Sequence, residues 1–198
     1  MAENFDITIL LPRAPTSVER LALVKDIFRV MHEWLGEPEA IAVTDIETGQ
    51  FQRVRWSLGS ASLLEGTSPG TIRHVYGKTV ADGPTSVTLD ETEPTAAYTI
   101  AIPRASLAQM SDAETDDVLL ELASLIGSVP DVMLIAGFET SIDVSKGLMS
   151  VVQDLLRGEG DVQFIFCPES MITVRENLWE ARGSFGSGVL LRRRGTDR

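Results

Sequence analysis

The sequence predicts an α+β domain: a mixed, largely antiparallel β-sheet with about three main helices packed on it. Three observations carry that prediction. Two capping boxes open helical repeats at Thr16 and Ser111. Several short alternating segments between residues 41 and 102 are separated by Gly- and Pro-containing turns. Two nearly all-apolar runs, at 132–138 and 162–166, have the length of buried strands. No composition shift or linker divides the 198 residues, so a single domain spanning 1–198 is expected.

Phe5 to Leu11 reads as a first strand, stopped by Pro12 and Pro15. Thr16 then caps a helix: its hydroxyl can accept from the amide of Glu19, whose carboxylate can reach back. Leu21, Val24, Phe28, Met31 and Leu35 form the apolar stripe, and Gly36 with Pro38 ends it. Ile41–Glu47 and Phe51–Leu58 flank Thr48-Gly49-Gln50 and read as a hairpin. Residues 59–70 read as a loop. Thr71–Lys78, Thr85–Asp90 and Ala97–Ile102 complete an antiparallel meander.

Ser111 and Glu114 open the second long helix, with Val118, Leu119, Leu122, Leu125 and Ile126 inward and Gly127 and Pro130 after it. Val132–Phe138 is suited to a strand covered on both faces. Ser145–Leu156 reads as a third helix and Val162–Phe166 as another buried strand. A short helix is expected over Thr173–Arg182, a turn over Gly183–Gly188, and a closing strand over Gly188–Arg193. Residues 192–198 are expected to form a basic tail.

Charge is the clearest pointer to partners. With 17 Lys and Arg against 29 Asp and Glu, the net charge is −12. From Ala105 to Ser145 there are eight carboxylates and no Lys or Arg. Such a surface repels nucleic acid and anionic membranes and favours a basic protein partner. Carboxylates in a first helical turn favour the helix dipole, which accounts for Asp112 and Glu114 and extends to Asp116. It does not account for Asp117, Glu121, Asp131, Glu139 and Asp143. Asp116, Asp117 and Glu121 are the candidate partner-binding acids, with Trp56 and Trp179 as candidate aromatic anchors.

The chemistry-bearing residues are few. His32 and His74 are the only histidines, and Cys167 is the only cysteine. A histidine-rich or thiolate metal site is therefore excluded, as is an internal disulfide. No cofactor motif and no Gly-x-Ser-x-Gly elbow occurs. Cys167, behind an apolar strand, is expected to be buried and inert. One enzyme reading remains: if the two apolar strands run parallel, Glu139 and Glu169 emerge at one sheet edge. With Asp143 and His74 they would form a carboxylate site for a cation or for acid–base work.

The first residues hold no signal-peptide pattern and no apolar run spans a bilayer, so a cytoplasmic protein is expected. Small, acidic and poor in catalytic residues, the chain is similar in profile to bacterial immunity proteins, which bind and neutralise a toxin domain. That resemblance rests on profile alone and carries no residue over. It implies a protein-binding module, with the carboxylate-site enzyme as its alternative.

Overall fold

A computed structural model describes residues 4–57, 60–64, 71–78, 86–91, 95–139, 147–172 and 178–195. Its centre is one ten-stranded sheet. In chain order the strands are β1 (Asn4–Leu11), β2 (Pro38–Asp45), β3 (Phe51–Arg55), β4 (Thr71–Gly77), β5 (Ser86–Asp90), β6 (Ala96–Pro103), β7 (Met133–Glu139), β8 (Asp161–Pro168), β9 (Trp179–Phe185) and β10 (Gly188–Arg193). They lie side by side as β3-β2-β4-β5-β6-β1-β7-β8-β10-β9, and every described pairing is antiparallel. The three main helices are α1 (Ser17–Val30), α4 (Asp112–Ile126) and α5 (Leu148–Leu156). The single turns α2 (His32–Leu35) and α3 (Arg104–Leu107) accompany them.

The predicted capping boxes are both formed. The Glu19 amide donates to the Thr16 hydroxyl and the Thr16 amide to the Glu19 carboxylate, with the same reciprocal pair at Ser111 and Glu114. The first helix breaks at Met31, and Gly36 (φ +62°) turns the chain into β2. A Cβ at Gly36 would stand 2.2 Å from the Lys78 carbonyl oxygen, so this close approach requires glycine.

Helices cover the sheet unequally. α1 and α4 lie on one face, where Val24, Phe28, Leu119 and Leu122 join Ile7, Ile9, Val75, Tyr98, Leu134 and Phe166 in the larger core. On the other face α5 places Val152, Leu155 and Leu156 against Met133, Ile135, Ile165, Cys167 and Leu191. Successive residues of β7 thus enter opposite cores, Met133 and Ile135 in one and Leu134 and Ala136 in the other. This is why Val132–Phe138 has no polar alternation. β4, β5 and β6 do alternate, because α1 and α4 cover only one of their faces: Val75, Val87 and Tyr98 are buried, while His74, Thr88 and Thr99 are half-exposed.

A cluster of charged groups, Arg20, Glu91 and Arg73, is enclosed beside the larger core. Arg20, fully buried, donates from Nε and Nη2 to the Glu91 carboxylate at 2.6 and 2.7 Å, and to the carbonyls of Leu64 and Pro15. The Tyr98 hydroxyl donates to the same carboxylate at 2.9 Å. Burial first, and then the Glu91 charge, push the Tyr98 pKa above its ordinary value. This network ties α1 to the ends of β5 and β6.

Three expectations change. Trp179–Arg182 is strand rather than helix, because β9 pairs along β10; residues 173–177 of that expected helix lie outside the described residues. Residues 60–64 form a 3-10 turn within the expected loop. β10 has the bounds expected of the closing strand and takes in Arg192 and Arg193, the first two residues of the expected tail. The expected turn is present and tight: Gly186 (φ +58°) and Ser187 join β9 to β10.

Candidate interaction surface

The basic-free acidic run divides on the two flanks of α4. On the inner flank, Asp116 is 6% exposed and its Oδ2 accepts from Arg182 of β9 and, at 3.0 Å, from Arg192 of β10. Arg192 also donates to Asp112 at 3.3 Å and lies over the Phe164 ring. The β9–β10 register slips at Arg182, where Leu190 faces Gly183 and Leu191 faces Ala181. Such a bulge re-aims a side chain, and Arg182 reaches Asp116. The cations that meet Asp112 and Asp116 come from the last two strands. Asp116, expected at a partner interface, is instead committed to the interior of the fold.

On the outer flank, Glu114, Asp117 and Glu121 are all exposed. At about 100° per residue these positions fall on one stripe of the helix. Glu114 is engaged in the capping box, whose Ser111 amide holds its pKa below the ordinary carboxylate range. Glu121 accepts from Arg29 of α1 at 3.2 Å across the helix pair, and both side chains are more than half exposed. No Lys or Arg lies on α4 itself.

Arg29 also borders an open hollow of about 480 Å³ beneath the C-terminal end of α1. Its walls include half-buried Trp56, Phe28, Pro38, His32 and the charged residues Lys25 and Glu37. Trp56 is held there because its amide donates to the Glu39 carbonyl at 2.7 Å, continuing β3 alongside β2. Arg29 thus bonds Glu121 and lines the same hollow as Trp56, while Asp117 lies one turn from Glu121 on the exposed stripe of α4. Trp179 is elsewhere: it is 7% exposed and its indole Nε1 donates to the Leu156 carbonyl at 2.9 Å. An anchor must be accessible, so Trp179 is corrected to a core residue.

The predicted carboxylate site does not assemble. It required parallel β7 and β8, but these strands are antiparallel, with Glu139 opposite Asp161 at the start of β8. Glu169 follows the other end of β8, about 26 Å away by the rise of a strand. His74 sits on β4, four strands from β7, or about 19 Å by strand spacing. Asp143 lies outside the described residues. His74 pairs instead with the Thr88 hydroxyl at 3.1 Å and stacks near Tyr76, and burial lowers its pKa. Among the described residues no cluster of three or more His, Cys, Asp or Glu is arranged to hold a metal.

Cys167 is fully buried, and desolvation pushes its thiol pKa up to about 12. No described helix is long and apolar enough to cross a membrane.

Neither a family model nor a curated protein matches this chain. Among solved structures the chain is similar to the Pseudomonas aeruginosa T6SS protein PA0821, with a TM-score of 0.53 and 11% sequence identity. The match covers 96% of this chain and 64% of that one, so the chain spans somewhat less than two thirds of its neighbour's length. At that identity the likeness is one of fold.

Proposed function

We propose that this protein is an acidic protein-binding module of immunity type, which binds and neutralises a cognate toxin domain through the α1–α4 side of the sheet. The observation that carries the reading is the outer stripe of α4. Glu114, Asp117 and Glu121 face solvent together on a helix with no Lys or Arg, next to a hollow walled by Trp56. A same-sign stripe steers a basic partner and sets orientation, while an aromatic beside it supplies desolvated contact area. The structural neighbour is a T6SS protein, and that is compatible with a role in secretion or in protection against a secreted toxin. The partner class is therefore a protein with a basic surface, and the chemistry is occlusion rather than turnover.

Affinity isolation of the intact chain from the organism that makes it, with mass spectrometry of what is retained, tests this reading. The expected result is one protein with a basic surface, lost when Asp117 and Glu121 are both replaced by Lys. Retention of only a metal or metabolite, or of a protein indifferent to those reversals, overturns it.

A further inference from the structure

A second hollow lies at the opposite end of α1 from Trp56. It encloses about 420 Å³, within the range of ligand pockets, between the end of β1, the start of α1 and the α4–β7 connection. Its apolar wall is Leu11, Pro12, Pro15, Leu23, Val129 and Pro130. Three prolines and the capped first turn of α1 hold that wall in place, so an entering group meets a surface needing little ordering. Val129 at the mouth is 37% exposed.

Charged groups at the rim narrow the occupant. Arg13 and Glu19 satisfy each other through two hydrogen bonds, at 3.0 and 2.7 Å, and Arg13 then Thr16 hold the Glu19 pKa down to about 2. The remaining charge is Asp131, exposed, with no cation paired to it among the described residues. It is also the one described non-glycine residue with positive φ (+56°), a conformation Asp and Asn tolerate better than most residues.

Resting on the protein-binding reading above, we propose that this hollow receives an apolar anchor side chain of the partner, flanked in the partner by Lys or Arg. The wall offers an apolar group its desolvation and offers few polar atoms to orient a small polar ligand. Asp131, in a chain of net charge −12, favours cationic flanks. A second copy of this chain would bring its own acids against that rim, so a basic partner fits better than self-association.

The hollow can be tested without the cognate partner. The full chain, labelled with ¹⁵N, is titrated with three capped tripeptides: Lys-Leu-Lys, Lys-Ser-Lys and Glu-Leu-Glu. Lys-Leu-Lys is expected to move the amide signals of Leu23, Val129 and Asp131. Lys-Ser-Lys should bind about tenfold more weakly or worse, from loss of the apolar anchor. Glu-Leu-Glu should bind about two- to fivefold more weakly, as an exposed charge contact implies. Val129→Lys should abolish the response with the melting temperature unchanged, and Asp131→Asn should erase the preference for Lys over Glu. Equal binding of all three peptides, shifts centred elsewhere, or an unaffected Val129→Lys variant overturns the proposal. Because these peptides do not require the α4 stripe, their failure would leave the charge-reversal result on the native partner standing by itself.

Discussion

The inner and outer flanks of α4 contain the same residue types and have opposite fates. Asp112 and Asp116 point toward β9 and β10 and meet Arg192, with Arg182 added at Asp116. Asp117 and Glu121 point to solvent, and of the two only Glu121 has a described cation, the exposed Arg29. A run of acids therefore has no single meaning. Part of it is half of a part-buried ion cluster whose other half lies some 70 residues later, and the rest is surface potential. Asp116 also shows the limit of the buried arrangement. Its Oδ2 takes both guanidinium groups, while Oδ1 is buried with no donor among the described residues.

The contrast predicts a graded series. Asp116→Ala leaves Arg182 and Arg192 without their shared acceptor. It should lower stability by about 1.5–3 kcal/mol in urea unfolding, the scale of a charged hydrogen bond, moderated because Arg182 is partly exposed. Ser111→Ala removes the N-cap and should cost about 1 kcal/mol. Glu114 should make a smaller, pH-dependent contribution. Its folded pKa lies below the ordinary 4.5, so the stabilisation is present above 4.5 and is lost as pH falls through the folded value. Glu114→Gln should flatten the acid-side slope of the unfolding midpoint below pH 4.5 and leave the slope near neutrality unchanged. Smallest of all, Asp117→Lys with Glu121→Lys should change stability by less than about 1 kcal/mol, the worth of exposed pairs. A large loss of stability in that double variant would break the distinction between the flanks.

Much of the fold is legible in the sequence because its signals are local. Thr16–Glu19 and Ser111–Glu114 lie within one helical turn, and both boxes form. The unbroken apolar character of Val132–Phe138 reports that β7 lies between two cores, and the alternation in β4 reports that one of its faces has no helix over it among the described residues. What escapes is non-local. Trp179-Glu-Ala-Arg182 has a composition suited to a helix, and only pairing with β10 across the Gly186–Ser187 turn makes it a strand. The strand–helix–strand order of β7, α5 and β8 suggests a parallel crossover, whereas the chain returns antiparallel and carries Glu139 and Glu169 to opposite ends. At the candidate surface, Asp117, Glu121 and Trp56 are within reach of sequence reasoning. Arg29, which bonds Glu121 and lines the Trp56 hollow, is not, because its partner Glu121 is 92 residues away. Asp116 and Trp179 defeat it for a related reason: an acidic or aromatic residue does not say which cation or carbonyl the fold will bring to it.

The uneven covering of the sheet places these surfaces. α5 closes the second face over β7, β8 and β10, where Cys167 sits out of reach of reagents. α1 and α4 form the exposed helical layer, with the Trp56 hollow toward one end of α1 and the apolar hollow toward the other. Glu19 in the wall of one and Arg29 in the wall of the other lie about 15 Å apart along α1, which suits a single partner surface of ordinary size.

The most direct test of the account is the association rate of the isolated partner with the wild-type chain and with the Asp117→Lys, Glu121→Lys variant, measured by stopped flow across a range of salt concentrations. Electrostatic steering predicts an association rate about tenfold slower for the variant at low salt, with the gap closing as salt rises. Equal rates for the two proteins at every ionic strength would contradict the claim that the outer flank of α4 is the surface a basic partner meets.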